Sequence, residues 1–357
     1  MAPRPEFVGL NPDRWRQVDK LSRRLVAAGE LPNVVAVARR LDADAAVPSP
    51  AVVHGLTSGK ITVRSGSRFP VASLTKPVVA AVALRLCERG MLSLTDRVAD
   101  WVPEFRGGRK RPVTVRHLLT HTSGLPDVWP DNTTLRQSQS TAAQFLAASA
   151  AVELLERPGQ RTVYSSVGYS VLGGVLEAAG GADLGTLARR EIFDRLAMAD
   201  TALGGAADPR EWLVPIEYPT DHEPADWDWN SRYWRELGAP WGGLVSTAGD
   251  MLRFLGAFAA GECVSPVSRD AAWTPHAEVF PEAEGRPWGM GWRFNWPGHA
   301  SAFSDLLPSD AVGHYGATGC VMWHSRGRLA VILSSRPVLG RPRALQLVSA
   351  AVAAAFE

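Results

Sequence analysis

The chain has 357 residues, of which 46% are hydrophobic, and its 38 basic and 36 acidic side chains leave a formal net charge of +2. That length and apolar content supply a core for one large domain or two closely packed lobes. Near-neutral charge with the two signs interspersed excludes an electrostatic footprint for nucleic acid or an anionic membrane, so neither is expected as a partner.

In chain order, the N-terminal stretch mixes charge with proline and has no apolar core followed by a small-residue cleavage site, so no export signal is expected. Residues 12 to 29 carry Trp15, Val18, Leu21, Leu25 and Val26 at helical spacing and predict an amphipathic opening helix. Asn33 to Arg39 and Ala51 to His54 are short and rich in valine, with Asp42-Ala43-Asp44 between them, and read as a strand hairpin. Ser73 to Arg89 turns helical and stops at Gly90, and a long, mainly helical stretch runs to about residue 240. Gly319 to His324 and Arg328 to Ser335 predict two strands joined by the turn Ser325-Arg326-Gly327, and an alanine-rich helix follows from Arg343 to Phe356. Sheet elements at both ends of the chain are most simply joined in one mostly antiparallel sheet flanked by the terminal helices. Residues 1–75 and 240–357 then form the sheet lobe, and 76–239 an inserted helical lobe. No run of about 18 apolar residues predicts a membrane-spanning helix.

Cys87, Cys263 and Cys320 are odd in number and widely spaced, which suggests no disulfide framework or zinc site and fits a cytoplasmic location. Each reads as a small buried hydrophobe. Only Lys20, Lys60, Lys76 and Lys110 among the basic residues are lysines. Arginine replaces lysine as a surface charge but cannot lose its proton to act as a base, so each retained lysine is a candidate for chemistry.

Ser73-Leu74-Thr75-Lys76 at the predicted helix start places a hydroxyl and an amine three residues apart on one face, where the positive end of the helix dipole favours anionic oxygen. Pro77 supports that placement, because proline is tolerated only where its missing N–H has no helical partner. With its surroundings this segment is the first of three blocks. Phe69 to Pro77, Leu92-Ser93-Leu94-Thr95-Asp96 with Trp101 to Phe105, and Thr114 to Pro126, which reads TVRHLLTHTSGLP, together resemble the β-lactamase-related family of class C β-lactamases, D,D-peptidases and family VIII carboxylesterases. Gly242 to Asp250 and Gly313 to Gly319 continue the resemblance, which spans roughly residues 15 to 340.

The resemblance implies a β-lactamase/transpeptidase-like α/β (α+β) fold and a serine hydrolase working through an acyl-enzyme, with Ser73 as nucleophile and no cofactor or metal. It also implies that Lys76 and Tyr164 move protons, with Lys76 charge lowering the Tyr164 pKa, and that the backbone N–H groups of Ser73 and Ala317 form the oxyanion hole. Two positions depart from the family pattern. The Y-x-N motif reads Tyr164-Ser165-Ser166, losing an asparagine amide, and the K-T-G motif reads His314-Tyr315-Gly316, exchanging a cation for a mostly neutral imidazole. Both weaken recognition of a carboxylate-bearing lactam and favour small neutral esters. Gly316 is expected to let the substrate approach the strand. The alternatives are a β-lactamase or D-amino-acid peptidase, an acyltransferase, and a penicillin- or ligand-binding protein without turnover.

His117 and His121, four residues apart, have no third ligand and are expected to be structural hydrogen-bonding residues. No G-x-S-x-G elbow supports a Ser-His-Asp triad. Trp227, Trp229, Trp234 and Trp241 crowd one segment and are expected to pack between lobes or to wall an acyl pocket.

Overall fold

A computed structural model describes residues 4–56, 62–205, 213–218, 225–276, 288–295, 303–337 and 343–356, which leaves Lys60 outside the described residues. Its frame is a six-stranded sheet in the order β2-β1-β9-β8-β7-β6, built from β1 (Asn33–Arg40), β2 (Ala51–Gly55), β6 (Arg293–Phe294), β7 (Val312–Gly316), β8 (Cys320–Ser325) and β9 (Arg328–Leu333). Every adjacent pair is antiparallel. The first and last parts of the chain meet where Val35 pairs with Leu333 and Arg40 with Arg328.

The strand sequences explain why this sheet is buried on both faces. Alternate side chains of β1 point to opposite sides, so Val34, Ala36 and Ala38 join Val321, Trp323, Ala330 and Ile332 in one cluster, and Val35 and Val37 join Met322, Val331 and Leu333 in another. A strand that packs on both sides loses its polar alternation and reads as a continuous apolar run. The first cluster is covered by α1 (Pro12–Ala27) and the C-terminal helix Arg343–Ala354. The opening helix starts where the Asn11 side chain accepts from the N–H groups of Asp13 and Arg14, both at 3.1 Å, and Pro12 occupies its first position. The β8–β9 turn closes on Arg326 and Gly327, whose φ angles of 51° and 74° give the paired left-handed conformation that a tight two-residue hairpin needs.

The expected helix from Ser73 divides in the structure. Ala72–Leu74 forms a 3₁₀ turn and the α-helix proper, α2, runs Thr75–Glu88. Ser73 therefore lies in a tight turn ahead of the helix, and Ala72 holds a left-handed φ of 46°, a conformation that costs a non-glycine residue on the order of 1 kcal/mol. Three contacts hold the turn. The Thr75 hydroxyl donates to the Ala72 carbonyl at 2.6 Å, the Leu244 N–H donates to that hydroxyl at 3.0 Å, and the Val71 N–H donates to the Leu244 carbonyl at 3.0 Å. Leu244 belongs to a second, three-stranded sheet in the order β3-β5-β4, formed by β3 (Phe69–Pro70), β4 (Ala202–Leu203) and β5 (Leu244–Ser246). With two or three residues each, these strands are too short to show any periodicity in sequence. Behind the turn, α2 packs on α3 (Ser166–Gly180), both apolar on nearly every side, within the larger core cluster. No described helix is long and apolar enough to cross a membrane.

Candidate active site

Ser73, Tyr164, His314, Tyr315 and Ala317 line one cavity of about 450 Å³, together with Arg161, Thr162, Trp288 and Arg293. A hollow of about 500 Å³ lined by Gln139, Tyr233 and Leu237 among others holds none of the expected site residues. Chemistry therefore selects the Ser73 cavity, where a nucleophile and titratable groups converge.

Lys76 lies beneath Ser73, fully buried, with Nζ 3.4 Å from the Ser73 Oγ and donating to the Trp241 carbonyl at 2.7 Å. Burial disfavours the ammonium and lowers its pKa from 10.5 to about 7, with the nearby Asp127 carboxylate opposing the fall. At neutral pH a large share of Lys76 is free amine, able to accept the Ser73 proton. Tyr164 stands on the other side of the amine, with Nζ 4.7 Å from its ring centroid and its phenol within hydrogen-bonding influence of Ser73. Here the expected electrostatics are reversed. Burial pushes the Tyr164 phenol well above 10, and the hydrogen bond with Ser73 only partly offsets that rise. The phenol therefore keeps its proton at neutral pH.

The strand β7 supplies the facing wall. His314 is buried, and its Nδ1 donates to the Tyr315 carbonyl at 2.8 Å, which leaves Nε2 as a lone-pair acceptor with no partner among the described residues. Burial, reinforced by Lys76, drives its pKa well below 6.5, so the ring is neutral. At Gly316 the packing gives glycine a reason of its own. A Cβ there would sit 2.3 Å from the Val71 carbonyl oxygen, so glycine lets β7 close against the backbone of the nucleophile turn. The Thr318 hydroxyl fastens the same contact by donating to the Pro70 carbonyl at 2.7 Å. Ala317 follows directly and lines the same cavity as Ser73. Ser166 is not brought into the cavity wall, because its hydroxyl donates to Asp127 Oδ1 at 3.0 Å.

His117 closes a capping box with Thr114 on the short helix Val115–Leu119, a structural role as expected. His121 lies beside Tyr164, with ring centroids 4.7 Å apart. The tryptophan-rich segment packs inward, since Trp241 contacts Trp129, Phe145 and Trp234, and Trp229 stacks on Tyr218. None of it lines the cavity; the aromatic wall is Trp288. The three cysteines are free thiols whose pKa values burial pushes up to about 11 for Cys87 and about 12 for Cys263 and Cys320, which makes them poor nucleophiles.

Sequence reasoning missed Trp288 and Arg293. Arg293 sits on β6, paired with Gly313 at the edge of the sheet, and is 6% exposed. Its guanidinium stacks 4.7 Å from the Tyr315 ring centroid and pairs with no carboxylate among the described residues. Gly291, with φ 79°, lets this stretch cross α2, since a Cβ there would meet Ala80 at 2.5 Å. The available signal was a lone charge inside the apolar run Trp288-Gly289-Met290-Gly291-Trp292-Arg293-Phe294.

Comparison with known proteins identifies the family. The family model described as Beta-lactamase matches residues 25–355. Esterase EstB of Burkholderia gladioli is 32% identical over 270 residues, 64% of this chain and 67% of that protein. Penicillin-binding protein 4* of Bacillus subtilis is 26% identical over 65% of this chain and 53% of its own length. In structure, EstCE1, described as a hydrolase with promiscuous acyltransferase activity, superimposes with a TM-score of 0.79 at 21% identity, covering 95% of this chain and 98% of its own, and so shares the fold. The chain belongs to the beta-lactamase family of serine hydrolases.

Proposed function

We propose that the protein is a carboxylesterase that hydrolyses small esters through a Ser73 acyl-enzyme. The observation that carries this reading is the Ser73 hydroxyl 3.4 Å from a fully buried Lys76 whose pKa lies near 7, at the floor of an aromatic-walled cavity. The Lys76 amine takes the hydroxyl proton as Oγ forms its bond to the ester carbonyl carbon, and the backbone N–H groups of Ser73 and Ala317 hold the oxyanion. The Tyr164 phenol passes its proton to the departing alkoxide and is refilled from the Lys76 ammonium. Water then attacks the acyl carbon by the reverse proton path and releases the acid. Trp288 supplies the apolar surface for the acyl group. Free, separate thiols suit a reducing compartment, and the reading places the enzyme in the cytoplasm.

The test is Ser73→Ala against p-nitrophenyl esters of graded chain length, with mass spectrometry after exposure to a phosphonate. Wild type should turn over the short esters and gain one phosphonate on Ser73, and the variant should do neither. Retained turnover in the variant would remove Ser73 from the mechanism. Labelling of wild type without ester turnover would favour a binding protein.

A second reading is favoured by Arg293. The neutral His314 gives up the cation that the family places on this strand, but the Arg293 guanidinium returns one from the neighbouring strand, buried, lining the cavity and without a carboxylate partner among the described residues. An ester or amide that carries a carboxylate, the class to which penicillins and D-amino-acid peptides belong, would pair with it. Comparing a neutral ester with a half-ester of a dicarboxylic acid, in wild type and Arg293→Gln, separates the two readings. Selective loss of the acidic substrate in the variant supports the second, and equal rates throughout support the first.

A further inference from the structure

Tyr164 occupies an irregular segment just ahead of α3, where neither helix nor strand fixes the backbone. Its neighbours on both sides are tied to one residue. The Val163 N–H donates to the His121 carbonyl at 2.8 Å, and the Ser165 N–H donates to His121 Nδ1 at 3.1 Å. The imidazole also packs against the Tyr164 ring at 4.7 Å, and against Trp288 at 4.6 Å and Tyr169 at 5.2 Å. His121 is fully buried. The surrounding loop continues the attachment, since the Ser165 hydroxyl donates to the Pro126 carbonyl at 2.7 Å and the Gly159 N–H to the Thr122 carbonyl at 2.8 Å. The signature segment from His121 to Pro126 thus forms a rail along which the Tyr164 segment is laid.

We propose that His121 is a positioning residue for the reaction, clamping the backbone on either side of Tyr164 so that the phenol is held over Lys76 and Ser73. The proposal rests on the reading of Tyr164 as the proton donor. A backbone N–H only donates, so Nδ1 of His121 must present its lone pair, and the ring is held in its neutral Nε2–H form. Burial and the Lys76 charge press its pKa the same way, well below 6.5. The position asks for two properties together. Its φ of 59° favours asparagine, aspartate or histidine over other side chains, and the clamp needs an acceptor one atom beyond Cγ. Asparagine satisfies both, because its Oδ1 occupies the place of Nδ1.

That equivalence provides the test. His121→Ala and His121→Asn are made in wild type and in Tyr164→Phe, with near-UV circular dichroism used to normalise rates to folded protein. In the wild-type background His121→Ala should lower kcat by about 100-fold with KM changed less than about threefold, the scale of effect when a reacting group is misplaced by about an ångström. His121→Asn should recover at least about tenfold of that loss, and in Tyr164→Phe the alanine change should cost less than about threefold, because the two residues act through one proton path. Equal losses from His121→Ala in both backgrounds, or an asparagine variant as slow as alanine with a native melting temperature, would overturn the proposal. If the alanine variant does not fold, the asparagine variant alone decides on the same criterion. Wild-type kcat in Tyr164→Phe by itself would instead remove the underlying reading of Tyr164.

Discussion

Replacing Lys76 with methionine should make the protein more stable at neutral pH while abolishing turnover. The folded protein holds the Lys76 amine at a pKa of about 7 against an ordinary 10.5, a gap of about 3.5 units. At about 1.36 kcal/mol per unit, burying this amine costs the folded state about 4 to 5 kcal/mol at pH 7 and below. Because the unfolded chain binds more protons between pH 7 and 10.5, stability of the wild type rises with pH across that window, and the penalty is gone above it. Methionine removes the penalty but strands the Trp241 carbonyl that accepts from Nζ at 2.7 Å, a loss of about 1 to 3 kcal/mol. The balance is a gain of about 1 to 4 kcal/mol at pH 7, shrinking and then reversing as pH approaches 10. Urea denaturation of both proteins at pH 6, 7, 8 and 9 measures it. A methionine variant less stable than wild type at pH 7, by an amount that does not change with pH, would refute the claim that the amine is held neutral by burial.

Three further outcomes follow from the same geometry. On a neutral ester, kcat/KM should rise with pH through about 7 as Lys76 loses its proton, and a profile flat from pH 6 to 8 would show that another group is the base. Tyr164→Phe keeps the ring packing against His121 and Trp288 but deletes the phenol, so kcat should fall by about 10² to 10⁴ with little change in melting temperature; undiminished kcat would leave proton delivery to water. Gly316→Ala forces a methyl to 2.3 Å from the Val71 carbonyl, and should both destabilise by about 1 to 3 kcal/mol and slow acylation by moving the Ser73 turn, as read by urea midpoints and phosphonate labelling rates. Unchanged labelling would separate β7 contact from nucleophile geometry.

The sequence alone determined the features that depend on local pattern or on a specific motif. Helical spacing located the opening helix, valine-rich runs located β1 and β2, runs bearing valine, leucine and isoleucine about a turn located β8 and β9, and the S-x-x-K segment placed an amine three residues from a hydroxyl. Those signals are local because hydrogen bonding and burial within one element repeat at its own period. Tertiary structure decided what lies between elements. It lowered the Lys76 pKa by burying the amine and raised that of Tyr164 by the same means, since desolvation depends on everything packed around a group and nothing adjacent in sequence reveals it. It set Gly316 against Val71, turned Ser166 toward Asp127, and swung Arg293 into the cavity from 21 residues before the strand motif it faces. Strand order is the physical reason for the last of these. Pairing β6 with β7 brings Arg293 opposite Gly313, a juxtaposition that exists only once the sheet has formed.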